Sequence, residues 1–131
     1  TITVLDENFQ QHRIRLSGID ATEKAQDFGN RSRENLAGMV AGRMVTVETS
    51  KQDRYGRPVG VVLVNGKDAN LAQVQSGMAW WYQAYAREQS AADQTAYSLA
   101  EENARTARRG LWSMPAPIAP WDWRRSAREN H

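Results

Sequence analysis

Arg15, Asp20 and Glu23 stand in one short stretch, RIRLSGIDATE (residues 13–23), and a second stretch, DRYGR (residues 53–57), adds Asp53, Arg54, Tyr55 and Arg57. These residue types suit cleavage of a phosphodiester. That reaction needs a cation or metal against the phosphate oxygens, a base that activates water, and donors for the charge that builds in the transition state. An aspartate is a hard-oxygen ligand for Ca²⁺ or Mg²⁺, which makes Asp20 a candidate metal ligand. A glutamate can accept a proton from water, the role open to Glu23. An arginine offers a planar fork that matches two phosphate oxygens, which suits Arg15 and, as a second clamp, Arg57. The same residues admit a plainer reading. Arg13 and Arg15 facing acidic groups also describe a solvated ion-pair network of small energetic worth, and DRYGR also describes an exposed hairpin turn.

A third group is aromatic. Trp80, Trp81, Tyr82 and Tyr85 lie close together. Rings beside arginines can stack bases; they can equally be half-buried core. Trp112 reads as core or helix-end packing, and Trp121 and Trp123 read as pins for the C-terminal segment, with binding of a partner the alternative. His12 and His131 have no ligand spacing, and the glycines form no phosphate-cradling fingerprint.

The elements that would position these groups follow from periodicity. ITVL (2–5) and FQQHRIRL (9–16) read as strands joined by a turn at DEN, with Ile14 and Leu16 on one face and Arg13 and Arg15 on the other. Gly18 marks an unusual backbone angle or a close approach where the second strand ends. SRENLAGMVAG reads as a helix capped by Ser32 or Asn30 and stopped by Gly42. MVTVET (44–49) alternates as a strand, and VGVVLVNGKD (59–68) is an apolar strand turning at Asn65-Gly66. NLAQVQSG (70–77) is a short helix with Asp68 near its start, and MAWWY (78–82) is extended. Ser90 and Asp93 suggest a cap for a helix running to about Arg109, with Tyr97, Ala100, Ala104 and Ala107 as its apolar stripe. A Pro-rich tail, PAPIAPWDWRR (115–125), follows. Strands first and helices last suggest a small barrel with attached helices rather than a βαβ sheet.

Composition sets the outer bounds. A chain of 131 residues, 40% hydrophobic and 24% charged, is long enough to bury a core. The net charge of +2 permits an anionic ligand without demanding one. The absence of cysteine excludes disulfides and thiolate chemistry and suits any redox compartment. No run approaches the 18 apolar residues of a membrane span.

Taken together, the segments resemble the staphylococcal nuclease (thermonuclease-like) family. RLSGIDATE is similar to that family's Arg-Leu-x-Gly-Ile-Asp-(Ala/Thr)-Pro-Glu signature, and DRYGR matches its Asp-(Arg/Lys)-Tyr-Gly-Arg turn. GKDANLAQVQSGMAW, with Asn70 in place, resembles the helix that follows. The run from Glu101 to Trp112 resembles the last helix and its end, and PWDWRR resembles the tail of many bacterial members.

The resemblance implies an α+β fold: an OB-type five-stranded barrel with three helices. It implies one domain over residues 1–131, with 113–131 a Pro/Trp-rich tail. It implies Ca²⁺-dependent cleavage of single-stranded DNA and RNA, leaving 5′-hydroxyl and 3′-phosphate ends. By the same resemblance Arg15, Glu23 and Arg57 are catalytic, with Glu23 the proposed general base. Asp20 and the Ala21 carbonyl are metal ligands, and Arg54, Tyr55, Tyr82 and Tyr85 touch substrate. No membrane and no obligate protein partner are implied; a secreted or periplasmic location is expected, with a cytoplasmic one the alternative. Thr22 stands where the family has proline. The family's first barrel strand, with another metal-binding aspartate, is expected to be missing ahead of ITVL, which would weaken Ca²⁺ binding. The runner-up is a nucleic-acid- or protein-binding module on the same scaffold, since a barrel alone implies no reaction. The set Arg15, Asp20, Glu23 and Arg57 favours the enzyme.

Overall fold

Alternation builds the first sheet. Strand β1 (Ile2–Leu5) pairs antiparallel with β2 (Gln11–Leu16), Ile2 opposite Ile14 and Leu5 opposite Gln11. Ile14 and Leu16 turn into the core while Arg15 between them stays part-exposed, as a period of two requires. The turn between these strands is held by Asp6, whose Oδ1 accepts from the backbone N–H groups of Asn8 and Gln10. The computed structural model describes residues 1–21 and 28–129.

After a short strand β3 (Ile19–Ala21), helix α1 spans Gly29–Val40. Its start differs from the expected Ser32 or Asn30 cap. Phe28 precedes it in the left-handed region, φ 66°, with no side-chain cap. Ser32 lies inside the helix instead, buried, its hydroxyl donating to the Met78 carbonyl at 2.6 Å. β4 (Thr46–Gln52) and β5 (Pro58–Val64) form a hairpin. β4 begins later and runs further than MVTVET suggests, because pairing with β5 continues to Pro58 and leaves Met44 exposed.

β5 is the centre of the sheet. Its one edge carries β4. Its other edge carries β2 in parallel at Val59 and Gly60, and then the two-residue β6 (Lys67–Asp68) at Leu63 and Val64. Asn65 and Gly66 make the turn to β6 with φ of 53° and 76°, the two positive angles expected of Asn-Gly. Helix α2 (Ala69–Gln75) follows, its N-terminus capped by Asp68 on the Leu71 N–H at 2.9 Å. β7 (Ala79–Trp81) then pairs with β3 in a second, two-stranded sheet.

The fully buried Asn70 fastens these pieces. Its amide donates to the carbonyls of Ser17 (3.0 Å) and Gly60 (3.1 Å) and accepts from the Val62 N–H (3.2 Å), joining the end of β2, the middle of β5 and α2. Gly18 has φ 77°, and a Cβ there would fall 2.2 Å from Gln89 Nε2; both reasons anticipated for that glycine hold.

A 3₁₀ segment (Gln83–Glu88) leads to helix α3 (Ala91–Thr106), capped by Ser90 on the Asp93 N–H at 3.1 Å. α3 stops earlier than Arg109. Arg108 takes φ 54°, and the N–H groups of Arg109 and Arg108 close on the carbonyls of Ala104 and Arg105, a Schellman end. Ala107 is therefore outside the apolar stripe and exposed. Gly110 serves a different purpose: a Cβ there would meet the Gly77 carbonyl at 2.4 Å.

The tail is the largest departure. Past a 3₁₀ turn (Gly110–Ser113), residues Pro120–Glu129 form a fourth α-helix, α4, where three helices and a tail were expected. The architecture is thus α+β as anticipated, with a five-stranded sheet ordered β1-β2-β5-β4 plus β6. One core cluster packs Leu16, Ile19, Val62, Val74 and Tyr97 between sheet and helices. A second gathers Trp80, Leu111 and Trp112, with Trp121 against them.

Candidate active site

The hairpin turn DRYGR presents its arginines through one aspartate. The Asp53 N–H donates to the Arg57 carbonyl and the Gly56 N–H to the Asp53 carbonyl, with Gly56 at φ 81°, a tight turn followed by a glycine bulge. Asp53 Oδ1 accepts from the backbone N–H groups of Tyr55 and Arg57, each at 2.9 Å. Asp53 Oδ2 is left to face side chains: Arg57 Nε at 2.8 Å and Arg15 Nε at 3.4 Å. Two guanidinium groups that are distant in sequence therefore share a single oxygen. Desolvation pushes the Asp53 carboxyl up, but the N–H donors of Arg57 and Tyr55 and the Arg57 guanidinium outweigh it and hold it below the ordinary carboxylate range.

Arg15 has a second anchor. Its Nη2 donates to Glu88 Oε1 and Oε2 at 3.2 and 2.9 Å, and Lys51 Nζ reaches Glu88 Oε2 at 2.9 Å. The Glu88 side chain is only 2% exposed, so its charge is spent on these two cations. Arg15 also lies over the Tyr85 ring, 4.8 Å from its centroid. Tyr85 stacks on Tyr82 at 4.7 Å, and Tyr82 meets Trp121 of α4 at 4.8 Å. Burial raises the Tyr82 phenol, helped by its neighbour Tyr85, so it stays neutral at ordinary pH.

These groups, Trp121 apart, line one cleft of about 810 Å³. Every sequence-predicted site residue within the described range is there: Arg15, Asp20, Ala21, Arg54, Tyr55, Arg57, Tyr82 and Tyr85. Arg54 and Tyr55 sit at its exposed rim, Arg54 Nη2 donating to the Tyr55 hydroxyl at 2.8 Å. Glu23 lies outside the described residues. The plain surface-network reading of Arg15 does not hold, because its partner Glu88 is buried and comes from another part of the chain.

Asp20 stands on β3 opposite Trp80, and its carboxylate is engaged by Arg124 of α4. Asp20 and the adjacent Ala21 carbonyl are hard oxygen donors, which fits the chemistry of Ca²⁺. Among the described residues no group of three or more His, Cys, Asp or Glu side chains gathers to hold a metal, so these two would be the protein's described share of such a site.

Among the charged lining residues, the sequence reading gave no role to Lys51, Glu88, Arg124 and Arg128, and named Asp53 without a role of its own. Asp53 was visible as the first residue of the turn, where an acceptor for the turn's own N–H groups is expected. Arg124 and Arg128 could have been found from their spacing with Trp121 on one helical face. Glu88 carries no local signal.

The sequence model of the staphylococcal nuclease homologue family matches residues 13–114. Among similar proteins, Protein ParB of Escherichia coli is 46% identical, over 97% of this chain and 74% of that protein. A micrococcal nuclease of Shigella flexneri is 41% identical, over 98% of this chain and 76% of its own length. A protein named as an uncharacterized endonuclease, from Escherichia coli O157:H7, is 40% identical, over 95% of this chain and 77% of its own. With the family match spanning most of the residues, and the cleft assembled from the stretches that carry the resemblance, this chain belongs to the staphylococcal nuclease homologue family.

Proposed function

We propose that this protein is a nuclease that hydrolyses phosphodiester bonds of single-stranded DNA and RNA, with Ca²⁺, leaving 5′-hydroxyl and 3′-phosphate ends. Family membership and relatives named as nucleases support hydrolysis of nucleic acid. The observation that carries the reading in this chain is the shared Asp53 oxygen, which sets the Arg15 and Arg57 guanidinium groups side by side in one cleft.

The residues divide the work by their chemistry. Arg15 and Arg57 offer donors to the non-bridging oxygens of one phosphate, and their charge matters most when the transition state gathers negative charge there. Asp53 and Glu88 fix those guanidiniums before substrate arrives, which removes reorganisation from the reaction step. Tyr82 and Tyr85, stacked on one another beside Arg15, offer the remaining edges of their rings to the substrate strand. Asp20 and the Ala21 carbonyl would hold Ca²⁺, which when bound would supply Lewis-acid charge. Glu23 is the proposed base toward the attacking water.

A second reading has one observation in its favour: Asp20 is already engaged by Arg124. On that reading the cleft binds nucleic acid without cutting it. Incubating the protein with end-labelled single-stranded DNA and RNA, with Ca²⁺ or with chelator, separates the two. The nuclease reading expects Ca²⁺-dependent fragments with 3′-phosphate ends; binding with no fragments at any Ca²⁺ concentration would establish the second.

A further inference from the structure

The family match ends at residue 114, but the cleft does not. Helix α4 folds back over it. Trp121 packs on Trp80 at 5.5 Å and on Tyr82 at 4.8 Å. Arg124, three positions on, pairs with Asp20, and Arg128, four further on, lines the same cleft. The spacing places all three on one face of the helix.

Charge shows what that face does. Without α4, the described lining residues hold four basic side chains (Arg15, Lys51, Arg54 and Arg57) against three acidic ones (Asp20, Asp53 and Glu88). Arg124 and Arg128 raise the basic count to six. Two of the three excess positive charges therefore come from α4, and that excess is larger than the +2 of the whole chain. Docking the helix accounts for Trp121 and for the Arg124–Asp20 pair. It does not account for Arg128, which is exposed and makes no ion pair among the described residues.

The rings connect the two sides. Arg15 over Tyr85, Tyr85 on Tyr82 and Tyr82 against Trp121 form a continuous row from β2 to α4. Cations along a groove with ring faces between them are what a single nucleic-acid strand requires. We propose that α4, docked through Trp121 and Arg124, is a second wall of the substrate cleft, on which Arg128 holds a backbone phosphate flanking the one between Arg15 and Arg57. This rests on the nuclease reading above.

The test is steady-state cleavage of a labelled single-stranded oligothymidine by the full chain with Ca²⁺, over a range of salt, for wild type, Arg124→Gln and Arg128→Gln. Arg128→Gln is expected to lower kcat/KM about three- to tenfold, mainly through KM. It should also flatten the plot of log(kcat/KM) against log salt by about 0.7, the share of one phosphate contact to a single strand. Arg124→Gln should act in the same direction. Should it loosen α4, seen as a change in tryptophan emission, Arg128→Gln carries the test, since it leaves Trp121 and the Asp20 pair in place. Wild-type cleavage with an unchanged KM and salt slope in Arg128→Gln would overturn the α4 wall and leave the nuclease reading standing. A wild type that does not cut would overturn both.

Discussion

The two walls of the cleft hold their arginines differently. On the sheet side, each guanidinium is fixed by a carboxylate that is itself fixed: Asp53 by two backbone N–H groups of its own turn, Glu88 by near-complete burial. On the α4 side, Arg124 has one carboxylate partner described, Arg128 has none among the described residues, and the helix rests on aromatic packing. Stabilising a transition state requires donors already in place, and the sheet side has that property. Holding the flanking strand tolerates looser groups. On the proposed function, the difference assigns chemistry to the hairpin and affinity to the helix.

The strongest way to break this contrast is at the turn. Arg57→Ala should lower the cleavage rate about 10²–10³-fold, the usual loss for one preorganised donor. Arg54→Ala, on the exposed rim, should cost far less. Equal, small losses in a turnover assay would erase the distinction between wall and rim. Next in size is Glu88→Ala, which should destabilise the fold by about 1–3 kcal/mol, the cost of leaving a buried charge-assisted partner unmade. Urea denaturation checks this, and a wild-type midpoint would mean that Arg15 is anchored by Asp53 alone. Gly18→Ala should cost a similar or somewhat smaller amount, about 1–3 kcal/mol, from a positive φ and from contact with Gln89. A thermal melt reads it, and an unchanged midpoint would show that the 3₁₀ segment yields freely.

The smallest expected effect concerns acid. The Asp53 carboxyl is depressed in the folded state. Its stabilisation is therefore fully present above the unfolded aspartate value of about 3.9 and is lost as pH falls through the lower, folded value. Between pH 6 and pH 3, Asp53→Asn should show a flatter decline in urea midpoint than wild type. Parallel declines would mean that the turn does not depend on that charge.

Much of the sheet wall was legible because its signals are local. Alternation in RIRL set Arg15 against Ile14 and Leu16, and Tyr-Gly between charged residues announced the hairpin. What joins Arg15 to Arg57 was not local: it follows from the parallel register of Arg15 with Val59, which no single stretch encodes. Glu88 was hidden for the same reason. α4 was misread as tail because of its prolines, although Pro120 stands at the first helical position, where proline fits without cost to the helix. Asp122 and Arg125 then pair at i,i+3 in its first turns. The start of α1 was misplaced because Ser32, a good cap by type, is taken inward by the Met78 carbonyl.

The central claim is that Arg15 and Arg57 act on one phosphate. Cleavage rates of a single-stranded oligonucleotide by wild type, Arg15→Ala, Arg57→Ala and the double variant test it most directly. The account predicts a loss of about 10²-fold or more in each single variant, and a double-variant loss well short of the product of the two, as neighbours serving one group give. Losses that multiply in full, or a rate untouched by either substitution, would contradict it.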